Sequence, residues 1–277
     1  MMLEIAASLP PGALIGGDDR ALSQAVLATG GARFMARDGD IVRSDGIITG
    51  WREANMAVEA VAAAPNSGNS RFEAGPPGAL VFEEGQNCGF TLPGFAPEVE
   101  AFTVAVIYRS EGEAKTLASV FCGQAHNMIF LTEGDGQLLA KDKQSTVELS
   151  LPMPAGRGAK LAVLGFDGRS LRLCLGDQEA ATGAKVPGLA HPADFFIGCR
   201  SNRAGLAKTL GRALLHEVLF WPDRCLPGSD DPEDRDALST LHRHLRWTTE
   251  WRRPKPLRYW MSPRRWGWMR LRLRSGS

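Results

Sequence analysis

Past Gly30-Gly31 the chain becomes a succession of short apolar runs, each closed off by Gly, Asp, Asn or Pro, and this punctuation constrains the fold more than any other feature. Such runs suit the strands of an antiparallel sheet with tight turns between them. Phe102-Thr-Val-Ala-Val-Ile-Tyr108 alternates large residues (Phe102, Val104, Val106, Tyr108) with Thr103, Ala105 and Ile107, which predicts a strand buried well on one face and partly on the other. Residues 127–132 and 137–141 flank Glu133-Gly-Asp-Gly136, and 161–166 and 170–175 flank Asp167-Gly168-Arg169. Both read as hairpins, because Asp-Gly supplies the positive φ of a tight turn. Residues 195–199 and 212–221 add two further strands, joined by the polar segment 200–211. Many short strands at regular spacing predict an all-β antiparallel sandwich or barrel.

Helices are few. Residues 19–28 form a short one, with Asp18 as cap and Gly30-Gly31 as stop. The Ala-rich segment 53–64 has helical propensity but strand-like flanks, and the extended reading is preferred. A closing helix spans 232–246: Asp231 caps it, Pro232 fits its first position, Glu233 and Asp234 face the positive dipole end, and Arg243 and Arg246 the negative end. Leu238, Leu241 and Leu245 share a face that should dock on the sandwich, whereas His242 and His244 read as solvated helix-end residues. The predicted organisation is an N-terminal arm (1–31), a β-sandwich with its closing helix (32–247) and a C-terminal extension (248–277).

At 44% hydrophobic and 23% charged residues, the chain is neither disordered nor collagen-like, and no apolar run approaches the roughly 18 to 20 residues of a membrane-spanning helix. Its net charge of +1 hides an asymmetry. From Arg243 onward there are ten Arg and Lys255 against Glu250 alone, leaving 21 basic and 30 acidic residues in the rest. Cys88, Cys122, Cys174, Cys199 and Cys225 are odd in number and scattered, without a CxxC pair, so neither a disulfide framework nor a zinc site is expected. They read as reduced core residues of a protein made in a cytoplasm, and the N-terminus, with Glu4 and Pro10-Pro11, shows no signal peptide.

Four stretches together resemble the laminin-G-like, concanavalin-A-like jelly-roll domains of bacterial and phage proteins. Ala32-Arg-Phe-Met-Ala-Arg-Asp38, followed by Asp45-Gly-Ile-Ile-Thr-Gly-Trp51-Arg-Glu53, resembles the family's opening, and Gly78-Ala-Leu-Val-Phe82 its next strand. Residues 161–176 resemble the central hairpin. Phe196-Ile-Gly-Cys-Arg200, then 211–226 and the helix ending in Leu245-Arg-Trp247, resemble the closing strands and the helix after them. The likeness covers about three-quarters of the chain and implies a jelly roll. Where the family often has an Asp two residues after the Trp, this chain has Glu53, so no metal site is carried over; no cofactor is expected, with calcium left open.

Catalytic signatures are missing. No ExDxE strand sets two carboxylates on one face, as a retaining glycosidase of this shape would need; Asp135 falls in a turn and Glu217 stands alone on its strand. GxSxG, a P-loop and HExxH are absent as well. Binding is what a sandwich with polar loops does well, and the candidate ligand contacts are His126, Asn127, Asp135, Arg200, Asn202 and Arg203. Trp51 and Trp221 could stack on sugar rings, yet their positions favour core packing.

The extension carries Trp251, Arg252, Arg253, Trp260, Arg264, Arg265, Trp266 and Trp268. Nucleic acid and a membrane surface both accept such residues, but without a helical or strand period a docked protein partner is the preferred reading. The expected function is a non-catalytic module that recognises a surface glycan or serves in adhesion, anchored by this extension; a homo-oligomer is left open. A phage-like particle, assembled in the cell and freed by lysis, would reconcile a family that is mostly extracellular with the missing signal. A polysaccharide-cleaving enzyme of the same fold and a purely structural subunit are the alternatives.

Overall fold

The computed structural model describes residues 17–55, 57–66, 70–96, 99–123, 128–156, 158–182, 184–186, 189, 192–202 and 207–250. Seventeen strands and two α-helices lie among them. The strands of the N-terminal half are β1 (Ala32–Met35), β2 (Ile41–Ser44), β3 (Ile47–Arg52), β4 (Glu59–Ala62), β5 (Arg71–Glu73), β6 (Ala79–Phe82), β7 (Phe90–Ala96), β8 (Phe102–Ser110) and β9 (Lys115–Phe121). Then follow β10 (Met128–Gly134), β11 (Gln137–Asp142), β12 (Glu148–Pro152), β13 (Lys160–Phe166), β14 (Leu171–Leu175), β15 (Gln178–Ala181), β16 (Ala193–Ile197) and β17 (Ala213–Trp221). The helices are α1 (Gly17–Ala28) and α2 (Pro232–Glu250).

An eight-stranded sheet runs β15-β14-β13-β8-β17-β6-β5, with β1 also paired to β17. The second sheet has nine strands in the order β12-β11-β10-β9-β16-β7-β4-β3-β2. Neighbouring strands are antiparallel in both, so the all-β sandwich expected from the punctuation is present. The chain passes repeatedly between sheets, which is how β8 comes to lie beside β17 and β9 beside β16.

Between the sheets sits the main core. Phe195 stacks on Phe220 at 4.2 Å and 5°, while Trp51 meets Phe34 and Phe90 edge-on at 5.8 and 5.9 Å. Trp51 and Trp221 are fully buried, and both indole N–H groups are satisfied, Trp51 by the Met35 carbonyl and Trp221 by Thr29 Oγ1, each at 2.8 Å. They are core residues, as their sequence positions favoured.

A second apolar layer covers the outer face of the eight-stranded sheet. Ala105, Ile107, Leu161, Val163, Leu219 and Trp221 meet Leu22 and Val26 of α1 and Ala237 and Leu241 of α2. The Gly30-Gly31 pair ends α1 in two ways. Gly30, at φ +71, closes a Schellman turn with Gly31 N–H on the Val26 carbonyl, and a Cβ on Gly31 would collide with the Trp221 indole. At the start of α2, Asp231 Oδ1 accepts the Glu233 N–H at 2.8 Å, the cap its sequence predicts.

Three local details differ from expectation. The buried side of α2 is centred on Ala237, Leu241 and His244, with Leu238 and Leu245 at its margin, and the helix continues to Glu250. His244, read from sequence as solvated, is 1% exposed, and Glu217 is its partner rather than a lone acid. Within 53–64 only 59–62 is strand: Glu53 is buried and turns its carboxylate onto the backbone N–H of Asn55 at 2.9 Å, capping the turn that follows. No helix among the described residues is long and apolar enough to cross a membrane.

None of Cys88, Cys122, Cys174, Cys199 and Cys225 is in a disulfide. Burial pushes the thiols of Cys174, Cys199 and Cys225 up to about 12. Because the thiolate is the reactive form, these three are expected to react with Ellman's reagent at pH 8 at least about a hundredfold more slowly in the native protein than in urea. Mass mapping after a timed quench reads each site separately; native labelling as fast as unfolded labelling would contradict the burial.

Candidate ligand-binding face

Among the described residues the two α-helices cover the outer face of the eight-stranded sheet, and the outer face of the nine-stranded sheet is the candidate face. Strand register sets a row of side chains across it: Val61, Thr91, Phe196, Ser119, Phe130, Lys141 and Glu148 are paired in that order on β4, β7, β16, β9, β10, β11 and β12. Directly paired residues share a face. Their neighbours along the strands, such as Ile129, Leu131, Phe195 and Ile197, point into the main core.

After β16 the chain turns over this row and is held at successive residues. Gly198 adopts φ +70 against the Phe82 ring, where a Cβ would clash, and donates its N–H to the Leu117 carbonyl at 2.8 Å. Ser119 Oγ donates to the Arg200 carbonyl at 2.9 Å and lies 3.3 Å from that of Cys199. Arg200 donates Nε to Thr116 Oγ1 at 3.2 Å and lays its guanidinium over the Phe130 ring, 4.1 Å from the centroid. Asn202 accepts the Ala64 N–H on Oδ1 at 3.1 Å.

Arg200 is half-buried, and burial lowers its pKa; among the described residues no carboxylate pairs with it. Lys141 holds its Nζ 5.8 Å from the centre of the same Phe130 ring and pairs with Glu148 at 3.3 Å. Two cations thus flank one buried aromatic ring.

Of the candidates taken from sequence, Arg200 and Asn202 share this turn. Asp135 lies elsewhere, exposed at the tip of the β10–β11 hairpin with φ 52, its N–H donated to Glu113 Oε1 at 2.8 Å. His126, Asn127, Arg203 and the extension residues from Trp251 to Trp268 lie outside the described residues. Phe130, Lys141, Thr116 and Ser119 escaped the sequence reading. Phe130 carried a signal, since the alternation of its hairpin assigns it to the face opposite Ile129 and Leu131, but only the returning turn makes that face a candidate site.

Two buried polar networks stand apart from it. Inside the sandwich, Glu133 accepts from Ser110 Oγ at 2.8 Å and from Lys160 Nζ at 3.2 Å, and burial together with this carboxylate pushes the Tyr108 hydroxyl well above its ordinary value. That group ties the two sheets together with one carboxylate. The other joins Arg33, Glu217, His244 and Asp19 beneath the helices. Among the described residues no three His, Cys, Asp or Glu side chains are gathered to hold a metal ion.

Neither a family model nor a curated protein sequence matches this chain. Solved structures do share its fold. The binding domain of botulinum neurotoxin DC in complex with SialylT superposes with a TM-score of 0.51 at 8% identity, covering 77% of this chain. This chain spans 50% of that one's length. Domain 4 of AbnA, a GH43 extracellular arabinanase from Geobacillus stearothermophilus, in complex with arabinotriose, gives 0.51 at 16% identity, covering 74% of this chain and 96% of that one. These are β-sandwich domains, and the likeness is one of fold.

Proposed function

We propose that this chain is a non-catalytic carbohydrate-binding module of the laminin-G-like type, with its ligand face on the nine-stranded sheet. The observation that carries the reading is the turn 198–202, held by side-chain and backbone bonds so that Arg200 lies fixed on Phe130 with hydrogen-bonding capacity left over. Polar groups fixed before binding lose little freedom when a ligand arrives. The fold supports the same reading, since the two domains of like architecture have arabinotriose and SialylT in their structures.

Anchoring through the C-terminal extension completes the proposal. The sequence continues into that extension from α2, which lies in the layer on the far side of the sandwich from Arg200. Adhesion at the surface of a phage-like particle is the setting this reading favours.

A glycan array probed with the full chain tests it, with calcium and with a chelator. Saturable binding to one glycan class is the expected result, and its loss on chelation would add calcium to the site. No binding in either condition would move the assignment to a structural subunit. Release of reducing ends from a bound polysaccharide would move it to an enzyme of this fold.

A further inference from the structure

We infer that the sugar taken by this face is an acidic one, its carboxylate received by Arg200 with Lys141 as a second cation; the inference rests on the carbohydrate-binding reading. Three observations carry it. Arg200 spends Nε on Thr116, which leaves the paired Nη edge of the fork, the geometry that grips a carboxylate with two parallel bonds. Its plane is held against Phe130 at 4.1 Å and its carbonyl is fixed by Ser119, so the fork is oriented in advance. Finally, the residues before Arg243 carry 21 basic and 30 acidic residues, yet among the described residues no acid pairs with this half-buried cation.

A guanidinium cannot shed its proton, so partial burial leaves a charge that a neutral sugar answers only with weak dipoles. A carboxylate answers it in full. Lys141 lies on the same ring and is engaged by Glu148, itself exposed at the sheet edge. Glu148 would repel an anion approaching along β12, so the acid is expected to enter from the Arg200 side.

The test is calorimetric titration of the full chain with polygalacturonate and polysialic acid, with their methyl esters, and with neutral linear arabinan. At least one acid polymer is expected to bind, esterification to weaken it about tenfold to a hundredfold, and Arg200→Gln to do the same. Arg200→Lys should restore part of the loss, because a point charge remains without the fork. The basic extension also attracts polyanions, and the variants separate the two sources: a preference for acid that survives Arg200→Gln belongs to the extension and overturns the inference. A melting curve on each variant guards against lost folding, and Lys141→Gln, at a half-buried position beside the Phe130 ring, gives a second and smaller loss. Binding of arabinan alone, indifferent to Arg200→Gln, would overturn the acidic sugar and leave the carbohydrate reading standing. No binding to any polymer would overturn both.

Discussion

Glu217→Ala is expected to destabilise the protein by about 3–5 kcal/mol, the range found when a buried charge loses its partner. Arg33 is 1% exposed. It donates Nε and Nη2 to Glu217 Oε2 at 2.9 and 2.7 Å, Nη2 to Asp19 Oδ1 at 2.7 Å and Nη1 to Ser23 Oγ at 2.7 Å. His244 Nε2 approaches Glu217 Oε1 at 2.6 Å, and since a carboxylate only accepts, that nitrogen carries the proton. One carboxylate on β17 therefore holds β1 and α2, with Arg33 carrying the network on to Asp19 and Ser23 of α1, and removing it leaves the buried Arg33 with the half-buried Asp19 as its remaining counter-charge. Urea unfolding measures the loss; a change under about 1 kcal/mol would mean that water reaches Arg33.

The same carboxylate sets an acid limit. Burial pushes Glu217 up, but the Arg33 charge and the hydrogen bond from His244 outweigh it and hold the group at about 2, against an ordinary 4.5. A depressed folded value means stability that is complete above pH 4.5 and lost as the pH falls toward 2, on the order of 3 kcal/mol in all. Urea midpoints at pH 6, 4 and 3 should fall steeply in the native chain, and less steeply in Glu217→Ala.

Trp51→Ala is expected to cost about 3–5 kcal/mol, as large-to-small changes at buried aromatics do. The indole is wedged between Phe34 and Phe90 and donates to the Met35 carbonyl, so its loss leaves both a cavity and an unpaired acceptor. A fall in Tm of roughly 10 °C or more should follow. If Trp51 were a sugar platform, the variant would keep its Tm and lose binding instead.

Local chemistry explains what was legible in advance. Asp135 and Gly136, at φ 52 and +71, are the turn residues their hairpin needs, and Asp231-Pro232 starts α2 where capping and the missing proline N–H require. His244 failed for the opposite reason. Its partner, Glu217, lies on β17, 27 residues away, and helical spacing cannot tell a buried polar position from a solvated one when the partner comes from another element. Phe130 and Lys141 were invisible as a site on the same ground: alternation divides a strand into two faces without saying what lands on either.

By itself, then, the sequence determined several of the strands, two hairpins, the end of α1, the start of α2 and the sandwich class, because each depends on φ preferences, caps and periodicity within a few residues. Tertiary structure alone decided that β8 lies beside β17, that both helices bury one sheet's outer face, and that the turn after β16 returns over Phe130 to hold Arg200 there. Those outcomes depend on burying apolar faces and satisfying buried charges between segments far apart in the chain, and no local pattern encodes which distant face will do it.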